Sequence, residues 1–194
     1  LLNFPSLAGH FWFMYPLIGL YLFIPIISPW LTKVSPREER FFIWLFVLST
    51  CIPYLNRFFG EVWGQCFWNE YHMLWYFSGY LGYLILAHYI RVHLTWSAHR
   101  RLAVGIPLTI AGAVATILSF YVQAEPGVTL VTPELEIGWA FCTVNVVALT
   151  AGMFLIFTAI PQHEVPASVV EVSNLSYGMF LMHIFWLYLW VIVF

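Results

Sequence analysis

The chain has 194 residues, of which 62% are hydrophobic and only 8% charged, with a formal net charge of −2 and a mean hydropathy of +0.84. Soluble domains carry roughly 25% charged residues, so this composition cannot coat a water-facing globule of this size. The slightly acidic balance argues against nucleic-acid partners.

Between polar borders, apolar runs occupy residues 11–31, 41–59, 71–90, 102–124, 138–160 and 176–194. A helix rising ~1.5 Å per residue needs ~20 residues to cover ~30 Å of hydrocarbon, and every run reaches that length or nearly so. The expected fold is all-α: a single polytopic transmembrane helix bundle with six spans, its partner the lipid bilayer. Pro16 and Pro25 in the first span, Pro53 in the second and Pro107 in the fourth are candidate kinks, because proline leaves a carbonyl that neighbours must satisfy. Small residues at helical spacing, Ser78 with Gly82, Ala111 with Ala115 and Ala148 with Gly152, are expected at helix contacts. No internal repeat supports a transporter built of inverted halves.

The connections alternate in charge. Lys33, Arg37 and Arg40 follow the first span, and Arg91, Arg100 and Arg101 follow the third; excess Lys and Arg marks cytoplasmic loops. Arg57 with Glu61 and Glu70, and then Glu125, Glu134 and Glu136, belong to connections expected outside. The fifth connection, with His163, Glu164 and Glu171, is cytoplasmic by alternation. Cys51 and Cys142 lie in apolar runs and Cys66 in a loop, with no CxxC pair, so neither a disulfide framework nor a metal site is expected. The chain opens at Leu1 without a leader and stops at Phe194 inside an apolar run, which reads as a fragment of a longer membrane protein.

Polar groups inside lipid are costly and carry functional hypotheses. His183 lies about eight residues into the last span, with Ser176 one heptad before it and Trp190 one heptad after on the same face. It can exchange a proton inside a cavity, or it can pack as a donor to a neighbouring helix. Asn145, near Thr143 and Thr150 in the fifth span, reads first as an amide bridging helices. His10 and His72 head the first and third spans, followed by aromatics. They serve as interfacial anchors, or they line an outward acceptor site with Arg57, Glu61 and Glu70. The two basic clusters follow from topology alone, yet they also fit a polyanionic ligand. No phosphate-cradling glycine loop, HExxH or GxSxG occurs.

The string from His10 through Trp12, Phe13, Tyr15, Leu17, Ile18 and Tyr21 to Pro25 resembles the HxWFxxxLIxLYLxxP segment of the acyltransferase-3 membrane family. Ser173 to His183 is similar to that family's late SxxSYGIYLxH segment, and Tyr76 to Tyr83 to its central YxxxGYxLG span. The resemblance implies a bundle of about ten helices, of which this chain holds spans four to nine. It also implies transfer of an acyl group, most often acetyl, from cytoplasmic acyl-CoA to a hydroxyl of a cell-surface sugar or polysaccharide in a bacterial inner membrane. Acyl-CoA is then a co-substrate, with no covalently bound cofactor.

On this template His10, Trp12, Tyr15, His72, Tyr76, Tyr177 and His183 are expected to line the substrate tunnel, and Arg91, Arg100 and Arg101 to meet CoA phosphates. A general base would deprotonate the acceptor hydroxyl while oriented donors stabilise the oxyanion. The family's first-span histidine has no counterpart in this chain, so the catalytic base is unassigned and the fragment alone is expected to be inactive. A competing reading is a transporter or flippase subunit with His183 and Asn145 lining a path; a third is a scaffold without chemistry.

Overall fold

The computed structural model describes residues 12–124, 133–160 and 166–193. Those residues form α-helices and turns, with a single isolated bridge between Cys66 and Asn69 in place of any sheet. The helices are α1 (Met14–Leu31), α2 (Pro36–Thr50), α3 (Ile52–Phe59), α4 (Tyr80–Val92), α5 (Ala98–Gln123), α6 (Pro133–Glu136), α7 (Val144–Ala159) and α8 (Ala167–Val193). Among the described residues, three stretches are long and apolar enough to cross a membrane: α1, the run Pro36–Phe59 formed by α2 with α3, and α5. α7 is apolar but shorter, at 16 residues.

Local chemistry explains where these helices differ from the expected spans. The run expected to be helical from Tyr71 is helical only from Tyr80, leaving α4 with 13 residues. Gly79 takes a φ of 87°, a conformation that costs glycine little. Ahead of it the Ser78 hydroxyl bonds the Trp75 carbonyl at 2.6 Å, closing a 3-10 turn over Trp75–Phe77. α1 and α5 run unbroken through Pro16, Pro25 and Pro107. A break occurs at Cys51, where Pro53 has no N–H to offer the Ser49 carbonyl. There the Ser49 and Thr50 hydroxyls bond back to Phe46 O and Val47 O, each at 2.7 Å, side-chain bonds that compete with the helical ladder.

The described residues divide into two compact units, one within residues 28–160 and, separately, one formed by residues 12–27 with 166–193. In the larger unit, α5 and α7 share the most extensive interface. A side chain added at Gly152 would lie 2.6 Å from Thr109 N and 2.7 Å from Gly105 O, and one at Gly112 would lie 2.6 Å from Asn145 O. Close backbone approach through small residues is how helices associate in lipid, where the hydrophobic effect gives them no drive. The stripe on α5 is therefore Gly105, Thr109, Gly112 and Thr116. Ala111 and Ala115, expected at a helix contact, are exposed.

A core of Leu86 and Ile90 from α4 and Leu155 from α7, with Ile43 of α2, Leu94, Trp96 and Phe154 packed on it, joins α2 and α4 to α7. Large apolar side chains such as Phe41, Trp44 and Leu48 on α2 and Ile110, Ile117 and Leu118 on α5 are exposed. An apolar exterior of this kind suits lipid rather than water. In the smaller unit, the Phe13 ring meets Phe180 of α8 edge-on at 4.2 Å between centroids.

Candidate functional site

Polar chemistry collects at the end of the larger unit where α2 begins and α4 stops. Ser35 caps α2: its hydroxyl accepts from Glu38 N while the Glu38 carboxylate accepts from Ser35 N at 3.0 Å, and Pro36 occupies the first turn. This reciprocal box sets the helix start. It leaves Glu39 on the face shared with Phe46 and Thr50, two and three turns further on, and all three are fully buried. A carboxylate in the first turn gains from the helix dipole.

Two histidines from α4 close over Glu39. His88 Nδ1 lies 2.8 Å from Glu39 Oε1, and His93, at the C-cap of α4, places Nε2 3.1 Å from Oε2. The imidazole rings meet edge-on at 5.7 Å. Glu39 is 0% exposed, His88 24% and His93 19%, so the histidines alone open the group to its surroundings. Where Glu39 is a carboxylate it only accepts, and His88 Nδ1 is then the donor. Glu39 Oε2 and His93 Nε2, although neighbours, lack a hydrogen bond of acceptable geometry.

Composition and spacing pass over this cluster. Glu39 stands between Arg37 and Arg40 and merges into a basic connection, and histidines five residues apart match no familiar ligand motif. The signal that was available is the shared face of Glu39, Phe46 and Thr50, since a carboxylate on the buried face of an apolar helix requires a partner.

The same end carries the arginines. Arg101, in the first turn of α5, donates Nε to Trp96 O at 3.1 Å, Nη2 to Leu94 O at 2.7 Å and Nη1 to Thr158 O at 3.1 Å. Thr158 sits in the last turn of α7, whose final carbonyls have no helical partner, and a cation there is favoured by the dipole. Arg100 lies over the Trp96 ring at 4.5 Å. Arg91 and Arg100 are exposed, whereas Arg101 is partly buried. Together with the Glu39 contacts to His88 and His93, these bonds bring the start of α2, the α4–α5 connection and the end of α7 to one end of the unit.

At the opposite end, Tyr54 OH donates to Asn145 Oδ1 at 2.9 Å, and the Asn145 amide donates to Thr116 Oγ1 at 2.8 Å and to Gly138 O at 2.7 Å. The amide bridges α3, α5 and α7, as its position in an apolar run anticipates. Tyr83 donates to the Phe141 carbonyl, and Tyr80 stacks on the Phe141 ring at 4.4 Å. Residues 60–79 fold into a compact connection pinned by Asn69, whose amide reaches Gly64 O and Tyr71 O.

The expected tunnel residues lie in several different elements of the two units. His10 lies outside the described residues. Trp12 precedes α1, Tyr15 is in its first turn, and both are exposed. His72 is in the connection before α4, where its Nδ1 accepts from Leu74 N at 3.2 Å; partial burial holds its pKa below the ordinary histidine value. Tyr76, nearby, is exposed. Tyr177 falls within α8, with its side chain outside the described set. His183, also in α8, points Nδ1 at the Phe180 carbonyl of its own helix and sets its ring 4.9 Å from that of Phe180. A carbonyl only accepts, so His183 Nδ1 is the donor in this bond.

The family model for the acyltransferase domain called acyltransferase-3 matches residues 1–194. No curated protein and no solved structure matches the chain.

Proposed function

Because this chain belongs to the acyltransferase-3 family, we propose that it forms membrane-embedded machinery moving an acyl group, acetyl in the simplest case, from cytoplasmic acyl-CoA to a hydroxyl of a cell-surface sugar or polysaccharide. The bacterial inner membrane is the setting that fits this chemistry. One observation carries the reading: the family match runs the whole length of a chain rich in long apolar helices. The thioester donor is made in the cytoplasm and the acceptor lies outside, so transfer requires a protein that spans the lipid.

The arginine-bearing end supports a donor side. Arg91 and Arg100 are exposed there, and guanidinium forks match phosphate oxygens in charge and geometry. Arg101 acts differently, holding the 94–96 segment against α7 so that its neighbours present their charge from a fixed base. His183 brings an imidazole to the smaller unit, and Tyr177 shares its helix. With His10, Trp12, Tyr15, His72 and Tyr76 they are the proposed wall of the acceptor path; the general base itself is not assigned to any of them.

Isotope-labelled acetyl-CoA incubated with membranes containing the full-length protein tests the reading. Label appearing in an extracytoplasmic glycan, dependent on the protein, is the expected result. Protein-dependent movement of an unmodified substrate with no acyl transfer would overturn it in favour of a transporter.

A further inference from the structure

We propose that Glu39, His88 and His93 form a binding site for one divalent transition-metal ion, of the zinc class, at the junction of α2 and α4. One carboxylate and two imidazoles offer donor atoms that all lie within 4.8 Å of one another. In a tetrahedral site with metal–ligand distances of ~2.0–2.1 Å, donor atoms stand about 3.3 Å apart. His88 Nδ1 lies 2.8 Å from one Glu39 oxygen and His93 Nε2 3.1 Å from the other, so rotation of these side chains, already within 4.8 Å of one another, brings three donors to that spacing.

Hydrogen bonding alone leaves half of the cluster unexplained. His88 satisfies Glu39 Oε1, but Glu39 Oε2 and His93 Nε2 are buried, face one another and form no hydrogen bond. A cation between them gives both atoms a partner. It also answers the charge: among the described residues, the ion-pair partners of the fully buried Glu39 carboxylate are these two imidazoles. A buried carboxylate without a full counter-charge is costly.

Two imidazole nitrogens and one carboxylate oxygen suit zinc and its first-row neighbours rather than calcium or magnesium, which prefer all-oxygen shells. On binding, the metal takes the lone pair of His88 Nδ1, and the proton that this nitrogen donates to Glu39 in the metal-free cluster moves to Nε2. Three protein ligands leave a fourth position, reached from the partly exposed histidine side. The ion ties the first turn of α2 to the end of α4, and so fixes the base of the arginine-bearing end. This inference stands apart from the acyl-transfer reading, since metal binding is measured without substrate.

The test uses the full-length protein, purified in detergent with a tag free of histidine, stripped with chelator and titrated with Zn2+ against a chromophoric competitor. Binding of about one equivalent with a Kd of about 1 µM or tighter, weakened at least about tenfold in a His88→Ala/His93→Ala double variant, is expected. Failure of the unaltered protein to take up stoichiometric Zn2+, or equal binding by a folded double variant, would overturn the site. Should that variant not fold, His93→Cys with Co2+ decides. A new thiolate-to-metal charge-transfer band places residue 93 on the metal, and binding without that band refutes it.

Discussion

Phe46 of α2 lies in the space that any side chain at Gly82 of α4 would need. Phe46 is fully buried, and its other side meets Tyr83 edge-on at 5.3 Å, so the ring has nowhere to move. Gly82→Ala is therefore expected to destabilise the protein by about 1–3 kcal/mol through overpacking. The measurement is a denaturation midpoint in detergent, and shaving the ring with Phe46→Leu on the same background should restore part of the loss. An unchanged midpoint for Gly82→Ala would mean that α2 and α4 do not meet in this way.

Asn145 joins three helices through one amide. Tyr54→Phe and Asn145→Ala should show a coupling energy of about 0.6–1.7 kcal/mol in a double-mutant cycle, the range found for hydrogen bonds between helices in lipid. Strictly additive effects would place Tyr54 and Asn145 out of contact.

Arg101 holds Leu94, Trp96 and Thr158 through a planar fork that lysine cannot reproduce. Arg101→Lys, which keeps the charge, is expected to cost roughly 1.5–3 kcal/mol, the scale of one hydrogen bond to a charged group. Amide hydrogen exchange should accelerate over residues 94–97 while α5 stays protected. Unchanged exchange over those residues in Arg101→Lys would show that the bonds to their carbonyls carry little.

Charge at Arg91 and Arg100 is expected to act on the donor. Arg91→Glu with Arg100→Glu should raise KM for acyl-CoA by about tenfold or more with a smaller effect on kcat, the pattern of a lost binding interaction. The rise should shrink at high salt, because exposed charges are screened over a Debye length of ~10 Å at 0.1 M. A change confined to kcat would move these arginines away from the CoA phosphates.

Much of the helix content was legible because lipid imposes a simple rule: backbone polar groups must pair internally, so long apolar runs become helices. The runs at 11–31 and 102–124 closely anticipate α1 and α5, and 41–59 anticipates α2 with α3. The gathering of Arg37, Arg40, Arg91, Arg100 and Arg101 at one end of the larger unit was legible in the same way, from alternating loop charge. Asn145 as a helix bridge followed from the cost of an unpaired amide in an apolar run.

Hydropathy erred where single residues override it. The run beginning at Tyr71 is as apolar as its neighbours, yet Gly79 and the Ser78 hydroxyl delay α4 to Tyr80. The run from Gly138 becomes helical only at Val144, after Thr143 bonds back to Ala140 O. Ala111 and Ala115 have the right size and spacing for a helix contact, but the stripe containing Gly105 and Gly112 faces α7.

Sequence by itself determined that this chain lives in lipid as helices, which of its connections share an end, and, through three motif strings, the family to which it belongs. Those properties are local, since apolarity, loop charge and short motifs are each written within a few dozen consecutive residues. Tertiary structure alone decided that Glu39 meets His88 and His93, that Arg101 closes on the end of α7, and that Phe46 rests on Gly82. Each of these joins residues on different helices, and which faces meet is set by packing among helices whose outer surfaces are largely apolar.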